Sequence, residues 1–412
     1  MKILICTNHF YPETFRVNDV AWHLQKQGHE VMVLTAIPDY PQGHYYKGYG
    51  IFKKRKETIN GVKVYRAFIV PRGKGGKFRL VLNYLSYTIS SIIMTFFLCL
   101  RNRFDAVFVH ETSPVMIGIP SVIAKKMQKI PLCFWVLDLW PESLSAAGGI
   151  HNKTVLSFFN KITCWIYRHS DKILISSNGF RDSILEKGDF EKKIEYFPNW
   201  GEDLYLRASK VANNSSTCEL PDGFRIMFAG NIGEAQNFEK VMEVVCGLST
   251  DEVKWILIGD GRKREWIERY IEEHSLEKRV FLLGNHPITE MPEYFAQADM
   301  MFLSLKSNEI FNLTVPAKLQ AYMASGKPIL AMIDGETAHV IESAHAGYVT
   351  SSEDVEGMCT MIEKEILPRR DSLKELGENG HRYYMENFHH DICMKHLEEI
   401  LGQDSNGAIR DV

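Results

Sequence analysis

KILICTNHFYPETFRVNDVAWHLQKQGHEVMVLT, residues 2–35, contains one complete structural unit. The apolar run Lys2 to Thr7 predicts a buried strand, and the apolar spacing from about Val17 to Gln27 predicts an amphipathic helix stopped by Gly28. Glu30 to Thr35 predicts a second strand. A helix inserted between two strands makes the pair parallel, because only a crossover connection returns the chain to the same end of a sheet.

The pattern recurs along the chain. Ala106 to His110, Leu132 to Leu137 and Lys172 to Ser176 are expected strands, separated by helices near Met116 to Gln128 and Val155 to His169. After a polar stretch, Leu206 to Asp222, which reads as a linker, a second series begins with Phe224 to Ala229. A helix follows Gly233, then come Lys254 to Ile258, a helix over Arg262 to His274, Val280 to Leu283, Met300 to Leu303, a helix over Ala317 to Ala324, and Pro328 to Met332. Strands apolar on both faces must be covered by helices on both, so the class is α/β with two doubly wound parallel sheets. A chain of 412 residues also exceeds what one core fills. The expected domains are 1–200 and 201–381, with a C-terminal helix at 382–401 packing back on the first. Ligands are expected at the carboxyl ends of the strands, with the active site between the domains.

With 45% hydrophobic and 24% charged residues, the composition excludes disordered, collagen-like and disulfide-scaffold chains. The net charge of −3 conceals an asymmetry: residues 1–200 carry 27 basic and 15 acidic side chains, a charge of +12, which leaves −15 on the remainder. Residues 46–103 hold 13 Lys or Arg against the single acid Glu57. Within that segment Leu80 to Leu100 has no charge, and as a helix it would span roughly 31 Å. Its Asn83, Ser86, Thr88, Ser90, Ser91 and Thr95 favour an interfacial helix over a spanning one, so the expected partner is an anionic membrane surface and not nucleic acid. Eight cysteines without CxxC pairs suggest buried, reduced thiols, and MKILICTNHF lacks a secretory signal, so a cytoplasmic, membrane-peripheral location is expected.

Neither a GxGxxG loop after the first strand, where Thr7-Asn8-His9-Phe10 stands, nor a Walker A sequence nor an Asp-x-Asp pair occurs. A bound diphosphate would therefore be neutralised by the protein, with neither metal nor cofactor. Gly230-Asn231-Ile232-Gly233, after an apolar strand, can offer backbone N–H groups and a helix N-terminus to an anion, although such glycines also serve purely steric ends.

Pro316-Ala317-Lys318-Leu319-Gln320-Ala321-Tyr322-Met323-Ala324-Ser325-Gly326-Lys327-Pro328 resembles the P-x-K-x-x-E-Y-M-A-x-G-K-P segment of glycosyltransferase family 4, retaining sugar transferases of the two-domain GT-B fold. Tyr11-Pro12-Glu13, Gly28-His29-Glu30-Val31, Pro198-Asn199-Trp200, Ile258-Gly259-Asp260-Gly261 and Ala298-Asp299 extend the likeness over most of the chain. Thr35 to Gly43, Asp138-Leu139-Trp140-Pro141-Glu142-Ser143 and Phe228 to Gly233 resemble an O-antigen and capsule branch that includes proposed N-acetyl-L-fucosamine transferases.

The resemblance implies two Rossmann-like domains facing across a cleft and a UDP-sugar donor, held by Gly230, Asn231, Gly233, Gln236, Gly259, His286 and Lys318. It also implies a polyprenyl-diphosphate-linked saccharide as acceptor, in lipopolysaccharide or capsule biosynthesis, with Glu13, Arg16 and Asn199 lining the cleft. The family's E-x7-E carboxylates fall on Leu313 and Ala321, so Gln320 or Glu309 would have to substitute. Lys318 is either the diphosphate's cation or a solvated helix charge. Asp138 either contacts the sugar or caps the next helix, and Glu142 and His110 are further catalytic candidates. A UDP-sugar epimerase of the same fold and a non-catalytic scaffold subunit remain alternatives.

Overall fold

The computed structural model describes residues 1–73, 76–146, 149–210 and 220–402. Its contacts divide the chain into two units, one of Met1–Phe197 together with the chain from Met394, the other Pro198–Cys393.

The first unit is an eight-stranded sheet of β1 (Lys2–Cys6), β2 (Glu30–Ala36), β3 (Lys56–Ile59), β4 (Val62–Ala67), β5 (Ala106–Glu111), β6 (Leu132–Val136), β7 (Lys172–Ile175) and β8 (Ile194–Tyr196), in the order β3-β4-β2-β1-β5-β6-β7-β8. Its helices are α1 (Arg16–Lys26), α2 (Lys77–Arg101), α3 (Gly118–Gln128), α4 (Glu142–Ala146), α5 (Lys153–His169) and α6 (Phe180–Leu185). All pairings are parallel except β3 with β4. That hairpin turns on Asn60 and Gly61, with φ of 49° and 84°, the left-handed pair that a two-residue hairpin requires. The Asn-Gly dipeptide was its signal, and the strand pattern alone did not reveal it.

The second unit contains β9 (Phe224–Ala229), β10 (Val253–Ile258), β11 (Val280–Gly284), β12 (Met300–Ser304), β13 (Ile329–Met332) and β14 (Gly347–Thr350), all parallel, in the order β11-β10-β9-β12-β13-β14. Its helices are α7 (Phe238–Gly247), α8 (Arg264–His274), α9 (Met291–Gln297), α10 (Ala317–Ala324), α11 (Glu336–Ser343), α12 (Val355–Met361) and α13 (Leu373–Asn387), and α14 (His390–Gly402) crosses from this unit into the first. A core of fully buried Ile226, Phe228, Trp255 and Phe302 lies under the helices, Trp255 meeting Phe302 edge-on at 4.9 Å. Each such aromatic contributes about 2 to 3 kcal/mol through removal from water.

In both sheets the chain winds outward from the first strand on one side, then returns to its other side, between β1 and β5 and between β9 and β12. Such a switch opens a crevice at the carboxyl ends of those strands.

Four expectations change. The helix at 382–401 is two helices broken at Phe388 and His389, and only the part from Met394 joins the first unit, where Glu398 bonds His23 at 2.7 Å. The helix after Gly233 begins only at Phe238, behind a 3-10 turn at Glu234–Gln236. Of the polar stretch 206–222, residues 211–219 lie outside the described residues, and the rest belongs to the second unit, where Tyr205 just ahead of it stacks on Phe295 at 5.4 Å. Among the cysteines, Cys246 is exposed and Cys359 half-buried, whereas Cys6, Cys99, Cys133, Cys164 and Cys393 are buried; Cys218 lies outside the described residues.

Candidate active site

In the second unit the turns leaving β9 and β10 lock together. Gly230 N–H donates to Ile258 O at 2.9 Å, and Ile232 N–H to Asp260 O at 2.8 Å. A methyl on Gly259 would lie 1.9 Å from Gly230 O, and one on Gly261 2.2 Å from Ile232 O, so backbone approaches backbone where no side chain fits. Asn231 is exposed on this turn and Gly233 buried beneath it. From β12, Ser304 Oγ donates to Gln236 O at 2.6 Å and Lys306 N–H to Ala235 O at 2.9 Å, fastening the turn to the strand across the switch point.

Lys318, in the first turn of α10, reaches this same turn. Its Nζ donates to Gln236 Oε1 at 2.6 Å, sits 3.9 Å from the centre of the Phe228 ring, and packs against Gly230, where a methyl would come within 2.6 Å of its Cε. Close packing strips water from the ammonium and pushes its pKa down to about 7. Among the described residues no carboxylate pairs with it, whereas the neighbouring Lys263 and Lys306 are both neutralised by Glu234 and Glu239. Lys318 is thus a half-buried cation lacking an anion, not a solvated helix charge.

The rest of its motif is structural. Tyr322 Oη accepts from Ala229 N–H at 3.0 Å and donates to Ala229 O at 3.1 Å, clamping α10 to the end of β9. Lys327 Nζ donates to Ala296 O and Ala298 O at 2.6 and 2.8 Å, closing the end of α9.

The two substitutes for the missing carboxylates part company. Gln320 is fully buried, its amide turned back toward Pro316 O and Ala317 O of its own helix, so it offers a ligand nothing. Glu309 is exposed on the loop that leaves the carboxyl end of β12, an interior strand of the sheet. His286 follows the edge strand β11 and is engaged by Glu290 at 3.0 Å and by the Tyr294 hydroxyl at 3.0 Å.

In the first unit, Asp138 lies just beyond β6. Its Oδ2 accepts from Ser113 Oγ at 2.9 Å and Trp140 Nε1 at 3.2 Å, and α4 begins only at Glu142, so Asp138 is not that helix's cap. Burial raises its pKa, opposed by those two donors. Behind it Glu111, fully buried, receives Leu137 N–H and Asp138 N–H at 3.1 and 3.2 Å; burial, then the Asp138 charge, raises its pKa well above the carboxylate range.

Two expected catalytic or cleft residues, His110 and Glu13, are structural. His110 is buried between Thr7 Oγ1 at 3.3 Å and the Trp135 ring at 5.3 Å, and burial lowers its pKa to about 3, so it is a neutral core residue. Glu142 is half-buried, pairing with Lys187 through one carboxylate oxygen while its other oxygen is buried with no hydrogen-bond partner among the described residues. Glu13 is buried, accepting Asp39 N–H and Tyr40 N–H at 2.9 and 2.7 Å through one oxygen and His9 Nδ1–H at 2.8 Å through the other. Arg16 is half-buried with Asp19 3.8 Å away, and Asn199 is half-buried in the second unit.

What motif reading missed is His9 with Arg72. Glu13 fixes the His9 tautomer, so Nε2 accepts from Arg72 Nη2 at 3.0 Å, since a guanidinium has no acceptor. Arg72 stacks over Tyr40 and Tyr84 at 5.3 and 5.7 Å, and its Nε is buried without a partner. The signal was Thr7-Asn8-His9 itself: a polar side chain where a phosphate loop would carry glycine.

Two family models match, the glycosyl transferase 4-like domain over residues 14–200 and glycosyl transferases group 1 over residues 218–383. The probable glycosyltransferase WbjE of Pseudomonas aeruginosa is 22% identical over 71% of this chain and 74% of its own. The putative colanic acid biosynthesis glycosyl transferase WcaI of Escherichia coli K12 is 24% identical over 79% and 82%. Anabaena Alr3699/HepE, solved in complex with UDP, superposes with a TM-score of 0.67 at 15% identity, covering 97% of this chain and 99% of its own. This chain is a GT-B-fold glycosyltransferase, its first unit belonging to the glycosyl transferase 4-like domains and its second to the glycosyl transferases of group 1.

Proposed function

We propose that the protein transfers a hexosamine-type sugar, N-acetyl-L-fucosamine or a relative, with retention, from a UDP donor to a polyprenyl-diphosphate-linked saccharide at the cytoplasmic face of a membrane. The carrying observation is Lys318, a half-buried ammonium without an anion beside the glycine-locked turn after β9. The leaving diphosphate meets that ammonium, the turn's N–H groups and the first turn of α10, which neutralise it without a resident metal. Asp138 accepts a hydrogen bond from the sugar or supports its developing positive charge. The acceptor hydroxyl attacks the face the diphosphate leaves and gives that diphosphate its proton, so no side-chain nucleophile is required. Arg72, with its unpartnered Nε, supports an anionic acceptor on the first unit. The UDP bound to HepE and the colanic acid role in the name of WcaI agree with this reading.

The test is UDP release from a panel of UDP-sugars with a lipid-diphosphate disaccharide acceptor. Release with an N-acetylated deoxyhexose donor, dependent on the acceptor, is expected; tight UDP binding with no release from any donor would sink the reading and favour a scaffold.

A further inference from the structure

Helix α2 is inside out. Asn83 Nδ2 donates to Val70 O at 2.7 Å, Ser90 Oγ to Phe68 O at 2.6 Å and Tyr87 Oη to Thr7 O at 2.7 Å, so its polar side is bonded to the protein. On the other side Val81, Leu85, Ile89, Ile93, Phe97 and Leu100 form an exposed apolar stripe at helical spacing, Ile89 being 59% accessible. Among the described residues α2 is the one helix long and apolar enough to cross a bilayer, by length and composition alone. Crossing would break the bonds of its polar side.

Beside the stripe, between α2 and the β3–β4 hairpin, lies a groove of about 460 Å³ lined by Arg55, Tyr65, Ser90, Ile93, Phe97 and Arg101. Arg55 is anchored by Arg66 O at 2.6 Å and Ile51 O at 2.9 Å, and among the described residues neither Arg55 nor Arg101 has a carboxylate partner. Glu57, the only acid of segment 46–103, is taken by the buried Arg66 at 2.7 Å. Close to Arg55 in sequence, Phe52 is 95% accessible and precedes exposed Lys53 and Lys54.

We infer that this face is a docking surface for an anionic phospholipid leaflet. The α2 stripe and Phe52 enter the acyl boundary while α2 lies along the surface, and Arg55 and Arg101 receive one lipid phosphate in the groove. An apolar strip bordered by unpaired cations suits a leaflet that is apolar below and anionic at its face. A second copy of the chain would bring the same cations together. This deepens the membrane part of the proposed function and does not depend on which sugar is transferred.

Flotation of the full chain with phosphatidylcholine vesicles, with and without phosphatidylglycerol, decides it. Binding is expected only with the anionic lipid. Arg101→Glu should weaken it about thirtyfold, as a two-unit charge change beside such a surface does. Ile89→Asn with Ile93→Asn should weaken it about a hundredfold. UDP binding by the variants should match wild type, certifying the fold. Equal binding to neutral vesicles, unchanged flotation of either variant, or a dimer that the double variant converts to monomer would overturn the inference. Failure of wild type to bind UDP would instead strike the transferase reading and leave the flotation result standing.

Discussion

Lys318 is where a single side chain reports on chemistry. Because packing pushes its pKa to about 7 from an ordinary 10.5, the folded chain binds fewer protons than the unfolded one between those values. Stability contributed by this residue therefore rises with pH across that window. Donor affinity has the opposite slope: a bound diphosphate needs the ammonium form, so UDP binding above pH 7 should weaken by up to about tenfold per unit. Lys318→Met should flatten that profile in calorimetric titrations. Lys318→Ala should cost about 2 to 3 kcal/mol in donor binding and turnover, the value of a charge-assisted hydrogen bond, and an unchanged rate would remove the residue from the site. Asp138 differs in kind. Asp138→Asn should lower turnover far more than UDP affinity in steady-state assays, and equal losses in both would indicate damage to the fold instead.

Among the elements, the paired turns after β9 and β10 depend on backbone-to-backbone contact. Gly259, at φ 134° and with Gly230 O in the space of any Cβ, has no tolerated substitute. Gly259→Ala should destabilise the protein by more than about 2 kcal/mol and abolish UDP binding, read by thermal melting and titration. At Gly230, where a φ of 140° also strains any side chain, the obstructing atom belongs to the flexible end of Lys318, so Gly230→Ala should lose less stability than Gly259→Ala while binding UDP poorly. Tyr322→Phe leaves Ala229 N–H without its partner, a loss of about 1 to 3 kcal/mol in stability with a smaller effect on turnover.

For the whole molecule the divided charge is the leading fact. The first 200 residues carry +12 and the rest −15, yet the diphosphate is proposed to bind in the negative half. That is consistent only if its cation works at short range: Lys318 is half-buried and the acidic excess is spent partly on Lys263 and Lys306. Salt separates the two kinds of interaction. Raising ionic strength should release the protein from anionic vesicles while leaving UDP affinity nearly constant, since solvent-facing arginines are screened and a half-buried ammonium much less. Parallel loss of both would refute this division.

Strand period, glycine stops and the 316–328 motif were enough to establish two parallel α/β sheets and to bring Gly230, Gly259 and Lys318 forward, because those features are local or carried by uninterrupted runs. The hairpin at Asn60-Gly61 had a local signal in its turn dipeptide. The break at Phe388–His389 depended on packing, since neither glycine nor proline marks it. The fates of two polar candidates depended on neighbours remote in sequence: His110 is inert because Thr7 and Trp135 surround it, and Glu13 is spent on a loop 26 residues away. The direction in which α2 faces was likewise invisible in a run of uncharged residues. It follows from which side finds hydrogen-bond partners on the sheet, and only the folded chain supplies them.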